Sequence, residues 1–176
     1  EAGRRLDAFL AERIHRYDDD RDRPAVDGTS ALSPYLACGV LSPRQCLAAA
    51  ADANTGSIDS GSPGVLTWVS ELIWREFYRH VLVGFPHVCK NRPFNLATEA
   101  IDWSTDEEAF ERWCAGQTGV PIVDAGMRQL RQTGWMHTRV RMIVAMYLTK
   151  NLFIDWRRGE RHFMQSLVDG DFASNN

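Results

Sequence analysis

The stretch WVSELIWREFYR, residues 68–79, decides the fold class because its residues repeat at helical spacing on two sides. One side is apolar, which predicts a helix face buried in the core. The apolar residues are Val69, Leu72, Ile73 and Phe77. The opposite side mixes aromatic and charged residues, which are Trp68, Glu71, Trp74, Arg75 and Tyr78. Such a set suits a pocket for a flat, polar, aromatic ligand, while an inter-helix contact with a Glu71–Arg75 ion pair is the simpler explanation.

Similar periodicity predicts helices along the rest of the chain, bounded by start and stop signals. The predicted helices begin near Leu6, Pro34, Pro43, Val65, Phe110, Pro121, Trp135 and Glu160. Thr105 and Glu108 form a capping box, while Gly116 and Gly134 are typical of helix ends. Residues 53–64, rich in Gly and Ser, predict a surface loop. No strand alternation is present, so the sequence predicts an all-α fold of many short helices around one core.

The composition is that of an ordinary globular protein. A length of 176 residues suffices for one domain with a sizeable core. The hydrophobic fraction of 44% and the charged fraction of 24% exclude a disordered chain. No apolar run approaches the roughly 18 residues of a membrane span, and no secretory leader is recognisable, so we expect no membrane association.

The cysteines and histidines show no metal-binding spacing. Cys38, Cys46, Cys89 and Cys114 are scattered and form no C-x-x-C motif, which excludes a zinc knuckle and a disulfide scaffold. The histidines form no H-E-x-x-H motif, and Asp169-Gly170-Asp171 lacks a calcium-loop pattern. We therefore expect reduced thiols, a cytoplasmic location and no metal.

The formal net charge of −3 hides a basic segment between Pro121 and His162. This segment holds eight basic and three acidic residues, a local charge of +5, so the remainder carries −8. Its basic residues are Arg128, Arg131, Arg139, Arg141, Lys150, Arg157, Arg158 and Arg161. A localised anion site and a helix face whose arginines pair with acids elsewhere are both compatible with this pattern.

A second helix with two distinct faces is predicted from Trp135 to about Asn151. Its predicted core face consists of Val140, Ile143, Val144, Tyr147 and Leu148, and its other face of Thr138, Arg141, Met142 and Ala145. Met142 offers a polarizable contact for an aromatic ring, and Arg141 offers a fork for a carboxylate or phosphate. Arg139 points elsewhere and is a candidate phosphate contact.

The segment GTSALSP, residues 28–34, carries three hydroxyls close to a predicted helix start. Hydroxyls of Thr29, Ser30 and Ser33 could bind phosphate together with free backbone N–H groups. They could equally cap the helix without any ligand. The segment lacks the Gly-Lys-Ser/Thr ending of a P-loop.

Several motifs, taken together, are similar to the photolyase/cryptochrome flavoprotein family. They are WVSELIWREFYR (68–79), GVPIVDAGMRQL (119–130), TGWMHTRVRM (133–142), DWRRGERHFM (155–164), DGDFASNN (169–176) and RPAVDGTSALSP (23–34). The resemblance implies an all-α, multi-helix FAD-binding domain, of which residues 1–176 form the N-terminal and central part. The family's N-terminal α/β antenna domain and the C-terminal remainder of the helical domain are expected outside this sequence.

Within that family the residues resemble the class I cyclobutane pyrimidine dimer photolyases. Asn175 stands at the position facing flavin N5, where plant cryptochromes carry Asp and insect cryptochromes carry Cys. Thr138 departs from the pattern, because the family usually has an Asn there that contacts flavin and lesion. The shorter side chain predicts weaker binding by about 0.5–1.5 kcal/mol.

The resemblance implies light-driven DNA repair as the activity. Fully reduced, anionic FAD excited by blue light would pass an electron to a pyrimidine dimer flipped out of UV-damaged DNA, and the electron would return after the dimer splits. The enzyme would be a carbon–carbon lyase and a monomer without an obligate protein partner. A folate or deazaflavin antenna pigment would bind only the missing N-terminal domain. A cryptochrome-like photoreceptor and a flavin-free nucleic-acid-binding module remain the alternatives.

The resemblance also implies roles for individual residues. The FAD phosphates and adenine side would be held by Tyr17, Thr29, Ser30, Leu32 and Ser33. The flavin and its ribityl chain would be lined by Trp68, Arg75, Arg141, Asp169, Asp171 and Asn175, with Arg141 and Asp169 forming a buried pair beside the isoalloxazine. The catalytic set around the dimer would be Glu71, Trp74, Met142 and Asn175. The DNA contacts would be Arg21, Arg139 and Thr138, and electrons for photoreduction would pass through Trp103 and Trp156.

Overall fold

The computed structural model of the chain describes residues 1–175, and helices dominate it. The single β feature within those residues is a parallel bridge between Ser104 and Ile154. The all-α prediction is therefore confirmed. The chain divides into two compact units, Glu1–Tyr78 and Arg79–Asn176. Each unit has its own hydrophobic cluster, whereas the sequence predicts one core.

The first unit contains four α-helices and the start of a fifth. They are α1 (Ala2–Glu12), α2 (Tyr17–Asp20), α3 (Ser33–Ala37), α4 (Pro43–Ala53) and α5 (Pro63–Gly84), with a 3-10 turn at Ile14–Arg16. Phe9 and Ile14 are fully buried and pack with Cys46, Val65 and Trp68 in the core of this unit. The sequence predicts one helix through Ile14 to the Asp18–Asp20 run, but the α-helical geometry ends at Arg13, where φ is −127°.

Helix α4 begins as predicted. The Ser42 hydroxyl accepts from Gln45 N at 3.1 Å, and the Gln45 side chain accepts from Ser42 N at 2.9 Å. Pro43 occupies the first turn, where its missing N–H costs nothing. The Gly- and Ser-rich segment that follows is a loop, also as predicted. Its fold depends on the buried Asn54, whose amide donates to the carbonyls of Ser57 and Ser60.

The second unit holds the end of α5 and five further α-helices. They are α6 (Glu107–Ala115), α7 (Pro121–Thr133), α8 (Thr138–Met146), α9 (Trp156–Ser166) and α10 (Phe172–Asn175). Val88–Lys90 and Leu96–Ala100 form 3-10 turns, and Tyr147–Asn151 forms a π-helical turn that continues α8. The fully buried Trp113 anchors this core and donates from its indole to Val144 O at 3.1 Å.

Three helix starts differ from the prediction because polar side chains cap the first turn elsewhere. Asp106, not Thr105, caps α6 by accepting from Ala109 N at 2.9 Å. His137 Nδ1 accepts from Arg139 N, so α8 begins three residues after Trp135. Asp155 accepts from Arg157 N at 2.9 Å and starts α9 at Trp156 rather than near Glu160.

The predicted ends of α6 and α7 are confirmed. Gly116 and Gly134 both adopt left-handed backbone angles, with φ of +66° and +68°. Within residues 1–175, no helix combines the length and the apolar character needed to cross a membrane. In the same residues, no group of three or more His, Cys, Asp or Glu side chains is arranged to hold a metal ion.

Candidate functional site

The predicted faces of helix α5 are only partly correct, because Val69 and Leu72 are buried as predicted but other residues are not. Ile73 and Phe77, predicted as core, are 60% and 50% exposed, so this part of the prediction is wrong. Trp68, predicted on the opposite face, is buried against Phe9, with ring centroids 5.2 Å apart. Trp74 is 51% exposed and stacks beside Tyr78, with ring centroids 5.9 Å apart. An exposed indole is therefore available for contact with a ligand, whereas Trp68 contributes to the core.

Glu71, one turn before Trp74, has a fixed carboxylate. Arg21 Nη1 lies 2.8 Å from Glu71 Oε1, and the Arg21 side chain is only 16% exposed. The Arg21 guanidinium also lies over the Tyr17 ring, 5.5 Å from its centroid. Tyr17 in turn packs edge-on against Phe9 in the core. The family resemblance places Arg21 at a DNA phosphate, whereas in the structure Arg21 pairs with the partly exposed carboxylate of Glu71.

The segment from Gly28 to Ser33 packs closely on α2. A Cβ at Gly28 would lie 2.5 Å from the Asp20 Cβ, so only glycine fits there. Leu32 is buried, and Thr29, Ser30 and Ser33 are half-buried. No side chain caps α3, and within residues 1–175 none of the three hydroxyls makes a hydrogen bond. The capping explanation for these hydroxyls is therefore wrong, and they are available to a ligand.

Arg75 connects α5 with α3. Its Nη2 donates to Leu36 O at 3.2 Å, and its side chain is half-buried. The predicted Glu71–Arg75 ion pair is not formed, because Glu71 pairs with Arg21 instead. Arg75 thus approaches the same short helix that follows the hydroxyl-bearing segment.

The first turns of α8 present Thr138 and Met142 to the outside. Thr138 is exposed, and Met142 is 49% exposed. Arg139 is half-buried, and its Nη1 lies 3.6 Å from Met142 Sδ. Ile143, predicted as core, is 38% exposed, while Val144 is fully buried as expected. The predicted polar face of this helix is therefore accessible where Thr138 and Met142 lie.

Arg141 and Asp169 form the expected buried pair. Arg141 Nη2 lies 2.7 Å from Asp169 Oδ2, and Arg141 Nε donates to Met136 O at 2.7 Å. The Asp169 side chain is 1% exposed, and its second oxygen, Oδ1, is buried without a hydrogen-bond partner within residues 1–175. A buried carboxylate oxygen without a partner is costly, so it calls for a hydrogen-bond donor from outside the described residues.

The structure also shows the contacts of Asp171 and Asn175, which follow Asp169 in the DGDFASNN motif. Asp171 pairs with Arg79 at 3.2 Å and precedes α10. Asn175 ends α10, and its side-chain Nδ2 donates to Met164 Sδ at 3.4 Å. No sequence pattern indicates the Met164 contact, because it depends on the packing of α9 against α10. Asn176, the last residue of the quoted motif, lies outside the described residues.

Trp103 and Trp156 lie in different surroundings. Trp103 is half-buried against Phe153, with ring centroids 5.1 Å apart. Trp156 borders a cavity of about 260 Å³ whose wall also includes Trp113 and Asn175. Within residues 1–175 the two predicted electron carriers make no ring contact with each other. The structure therefore places Trp156, but not Trp103, on the same cavity as Asn175.

Three of the eight basic residues in the basic segment form ion pairs with acids. Arg157 pairs with Glu99 at 2.8 Å and with Asp155 at 3.2 Å, and its guanidinium lies over the Trp156 ring. Arg158 forms a bidentate ion pair with Glu107, in which Nη1 lies 2.7 Å from Oε1 and Nη2 lies 2.6 Å from Oε2. The hydrogen bonds from Arg158 lower the pKa of the Glu107 carboxyl. Of the two explanations for the local charge, pairing with acids accounts for these two arginines and for Arg141.

The structure thus brings together several of the predicted site residues within each unit. In the first unit they are Tyr17, Arg21 and Glu71, and in the second they are Arg141 with Asp169 and Arg139 with Met142. His137 and Met164 were missed. A polar residue just before a predicted helix could have indicated the His137 cap, but nothing in the sequence signals Met164.

Comparison with known proteins identifies the family. Residues 68–176 match the FAD binding domain of DNA photolyase. A Vibrio cholerae protein named deoxyribodipyrimidine photo-lyase is 55% identical over 168 residues, which are 96% of this chain and 35% of that protein. The chain therefore spans about a third of the length of this relative.

Solved structures agree with that match. A class III photolyase from Agrobacterium tumefaciens has a TM-score of 0.91 and 44% identity, covering 99% of this chain and 35% of its own. A cryptochrome from Synechocystis has a TM-score of 0.88 and 36% identity, covering 99% and 36%. The chain belongs to the photolyase family and contains part of its FAD-binding domain.

Proposed function

We propose that the protein containing this chain splits cyclobutane pyrimidine dimers in UV-damaged DNA when reduced FAD is excited by blue light. The observation that carries the proposal is the pair of Glu71, held by the buried Arg21, and the half-exposed Trp74 one turn away. A fixed carboxylate beside an accessible indole is better suited to binding a flat, polar lesion than to contacting only solvent. The relatives named deoxyribodipyrimidine photo-lyase support the same substrate.

Two features of the described residues fit FAD as the cofactor. The hydroxyls of Thr29, Ser30 and Ser33 lack partners, which suits a ligand with a pyrophosphate and a ribityl chain. The buried Asp169 Oδ1 lacks a donor, which suits a polar ring edge. FAD, when bound, supplies the light absorption and the electron needed for ring splitting.

The chain's own residues would provide the electrostatics around that cofactor. Arg141 is held by Asp169 and by the Met136 carbonyl, so its cation cannot relax away when a negative charge develops nearby. A fixed cation of this kind favours the anionic, reduced form of a flavin. Arg75 and Asp171 would complete the binding surface, and the buried Tyr17, Leu32 and Trp68 would support it from the core side.

The lesion would be held by Glu71, Trp74, Met142 and Asn175. Glu71 would accept hydrogen bonds from the dimer and stabilise the negative charge that the dimer carries after it receives the electron. Trp74 and Met142 are both about half exposed and would pack against the dimer rings. A dimer stacks poorly in the duplex, so its extrusion costs less than that of a normal base.

DNA positioning would depend on the outer face of α8. Thr138 is exposed on its first turn, and Arg139 is a candidate phosphate contact. Trp103 and Trp156 would carry electrons for reduction of the oxidised cofactor. Residues 1–176 would be the N-terminal and central part of the helical domain, and an antenna pigment would bind a preceding α/β domain.

Dimer loss under light tests this proposal. The complete reading frame, reduced and loaded with FAD, is incubated with a UV-damaged thymine oligonucleotide under blue light and in darkness. Loss only in the light is expected, and Glu71→Ala should reduce it strongly. Glu76→Ala, on the exposed side of α5, is the matched control. Absence of dimer loss in protein that binds and photoreduces FAD would contradict the repair function.

The structural likeness to a cryptochrome supports one alternative, a blue-light receptor with the same fold and cofactor but without repair. The retained dimer-facing set of Glu71, Trp74, Met142 and Asn175 favours repair, because a receptor has no need of a dimer pocket. The flavin-free nucleic-acid-binding module is disfavoured by the match to the FAD-binding domain.

A further inference from the structure

The side chain of Asn175 has one hydrogen-bond partner within residues 1–175, and it is a sulfur atom. The Asn175 Nδ2 donates to Met164 Sδ at 3.4 Å, linking the end of α10 to α9. Met164 is also close to the turn that carries Asp169, because its Cε lies 3.6 Å from the Cβ position of Gly170. Met164 therefore packs under both ends of the DGD-to-Asn175 segment.

The chemistry of this contact fixes the orientation of the amide. A thioether sulfur accepts hydrogen bonds but cannot donate them. An Asn side chain can present either its NH₂ group or its oxygen to a neighbour, but only the NH₂ group interacts favourably with sulfur. Met164 thus disfavours a flip of the amide and leaves Asn175 Oδ1 free on the other side.

We propose that Met164 is a positioning residue that holds Asn175 Oδ1 ready to accept a hydrogen bond from N5–H of reduced flavin. The inference rests on the proposed function and on the family resemblance, which implies that Asn175 faces N5. Reduced flavin carries a hydrogen at N5 and needs an acceptor, whereas oxidised flavin presents a lone pair there and needs a donor. An amide held with its oxygen forward discriminates between the two states.

The orientation of the Asn175 amide shifts the equilibrium between oxidised and reduced bound flavin in a predictable direction. With Met164 present, the site binds reduced flavin better relative to oxidised flavin. Met164→Leu keeps the volume but removes the acceptor, so the amide can turn its NH₂ group toward oxidised N5. We expect the preference for the reduced form to fall by about twofold to fivefold, as for loss of one weak hydrogen bond. Fivefold corresponds to about 20 mV for a two-electron couple.

The experiment compares midpoint potentials of FAD bound to the complete protein, titrated spectroscopically. Met164→Leu should lower the potential, while Met127→Leu, a buried thioether in the core of the same unit, should not. In an Asn175→Ala background, Met164→Leu should have no further effect, because the group it orients is gone. In flavin-free protein, the side-chain amide NMR signals of Asn175 should shift in Met164→Leu and stay unchanged in Met127→Leu.

The outcomes separate the two proposals. An unchanged potential, or an equal shift in the Asn175→Ala background, would overturn the role of Met164 while leaving photolyase activity intact. Unchanged Asn175 amide signals would overturn it as well. Protein that binds no FAD would overturn the inference and the proposed function together.

Discussion

Arg21 Nη1 lies 2.8 Å from Glu71 Oε1, and the arginine is the more buried partner, 16% exposed against 32% for the glutamate. The guanidinium is also held over the Tyr17 ring. A side chain enclosed in this way restricts the carboxylate to one orientation, which a residue that contacts a lesion requires. Under the proposed function, Arg21 would therefore act on repair through Glu71 more than through DNA phosphate.

We expect Arg21→Gln to lower the rate of dimer repair by about fivefold, or roughly 1 kcal/mol, because Glu71 is partly solvated and loses one charged partner. A phosphate contact would behave differently, since its loss reduces the salt dependence of DNA binding by about one unit of slope. Repair rate and salt slope are measured together. Arg23→Gln, at an arginine 60% exposed, is the control. A reduced slope with an unchanged rate would show that Arg21 binds phosphate.

Gly28 places the hydroxyl segment on α2, because a Cβ there would lie 2.5 Å from the Asp20 Cβ and 3.1 Å from its backbone. Overpacking of this kind costs about 1–3 kcal/mol unless the backbone shifts. We expect Gly28→Ala to displace Thr29 and Ser30 and to raise the dissociation constant of FAD about tenfold. Fluorescence titration of the flavin measures it. Gly3→Ala, where nothing lies within 4 Å, should leave FAD affinity unchanged. Equal affinities in both variants would contradict a phosphate-binding role for this segment.

Local signals in the sequence predicted the ends of α6 and α7 correctly, whereas contacts between distant segments were not predictable. Gly116, Pro121 and Gly134 determine backbone geometry by themselves, so their positions are decisive. Periodicity determines which residues share a face of a helix, but it does not determine which face packs against the core. Ile73 and Trp68 were therefore assigned to the wrong faces of α5.

The same contrast between predictable and unpredictable features holds for the candidate functional site. The Arg141–Asp169 pair was expected from the family resemblance, and the two residues are 2.7 Å apart. The Arg21–Glu71 pair and the Met164–Asn175 contact join residues that no sequence spacing relates. They depend on how helices pack, which the sequence expresses only through the complete fold.

The four cysteines should differ in reactivity. Burial raises the pKa of Cys46, and burial raises the pKa of Cys114 to about 11, so neither forms appreciable thiolate at pH 8. Cys38 and Cys89 are exposed. We expect a thiol reagent at pH 8 to modify Cys38 and Cys89 in the native protein and all four after denaturation. Mass spectrometry of the labelled peptides checks this, and rapid native labelling of Cys114 would contradict its burial.

Asp124 should stabilise the second unit in a pH-dependent way. Burial raises its pKa, but hydrogen bonds from Thr118 N, Thr118 Oγ1 and Gly119 N, with the nearby Arg128, lower it below its ordinary value. The stabilisation is therefore complete above the unfolded pKa of about 4 and is lost as the pH falls through the folded value. Asp124→Asn should cost about 1–3 kcal/mol at pH 7, because the amide cannot accept all three bonds.

Urea denaturation at several pH values measures this effect. The difference in unfolding free energy between the native protein and Asp124→Asn should shrink as the pH falls below about 4. Asp102→Asn, at an exposed carboxylate, should show little difference at any pH. A difference that stays constant between pH 7 and pH 3 would mean that the charge of Asp124 does not contribute.

Thr138 is exposed on the first turn of α8, one turn before Met142. The family resemblance implies an Asn at this position, whose side chain would reach further and add a hydrogen-bond donor. We expect Thr138→Asn to tighten binding of dimer-containing DNA by about 0.5–1.5 kcal/mol, the range of one hydrogen bond. Affinities for damaged and undamaged duplexes are compared, with Thr105→Asn, at another exposed threonine of the same unit, as the control. An equal gain for both duplexes would place the new contact on the DNA backbone, and no gain would show that Thr138 does not limit lesion binding.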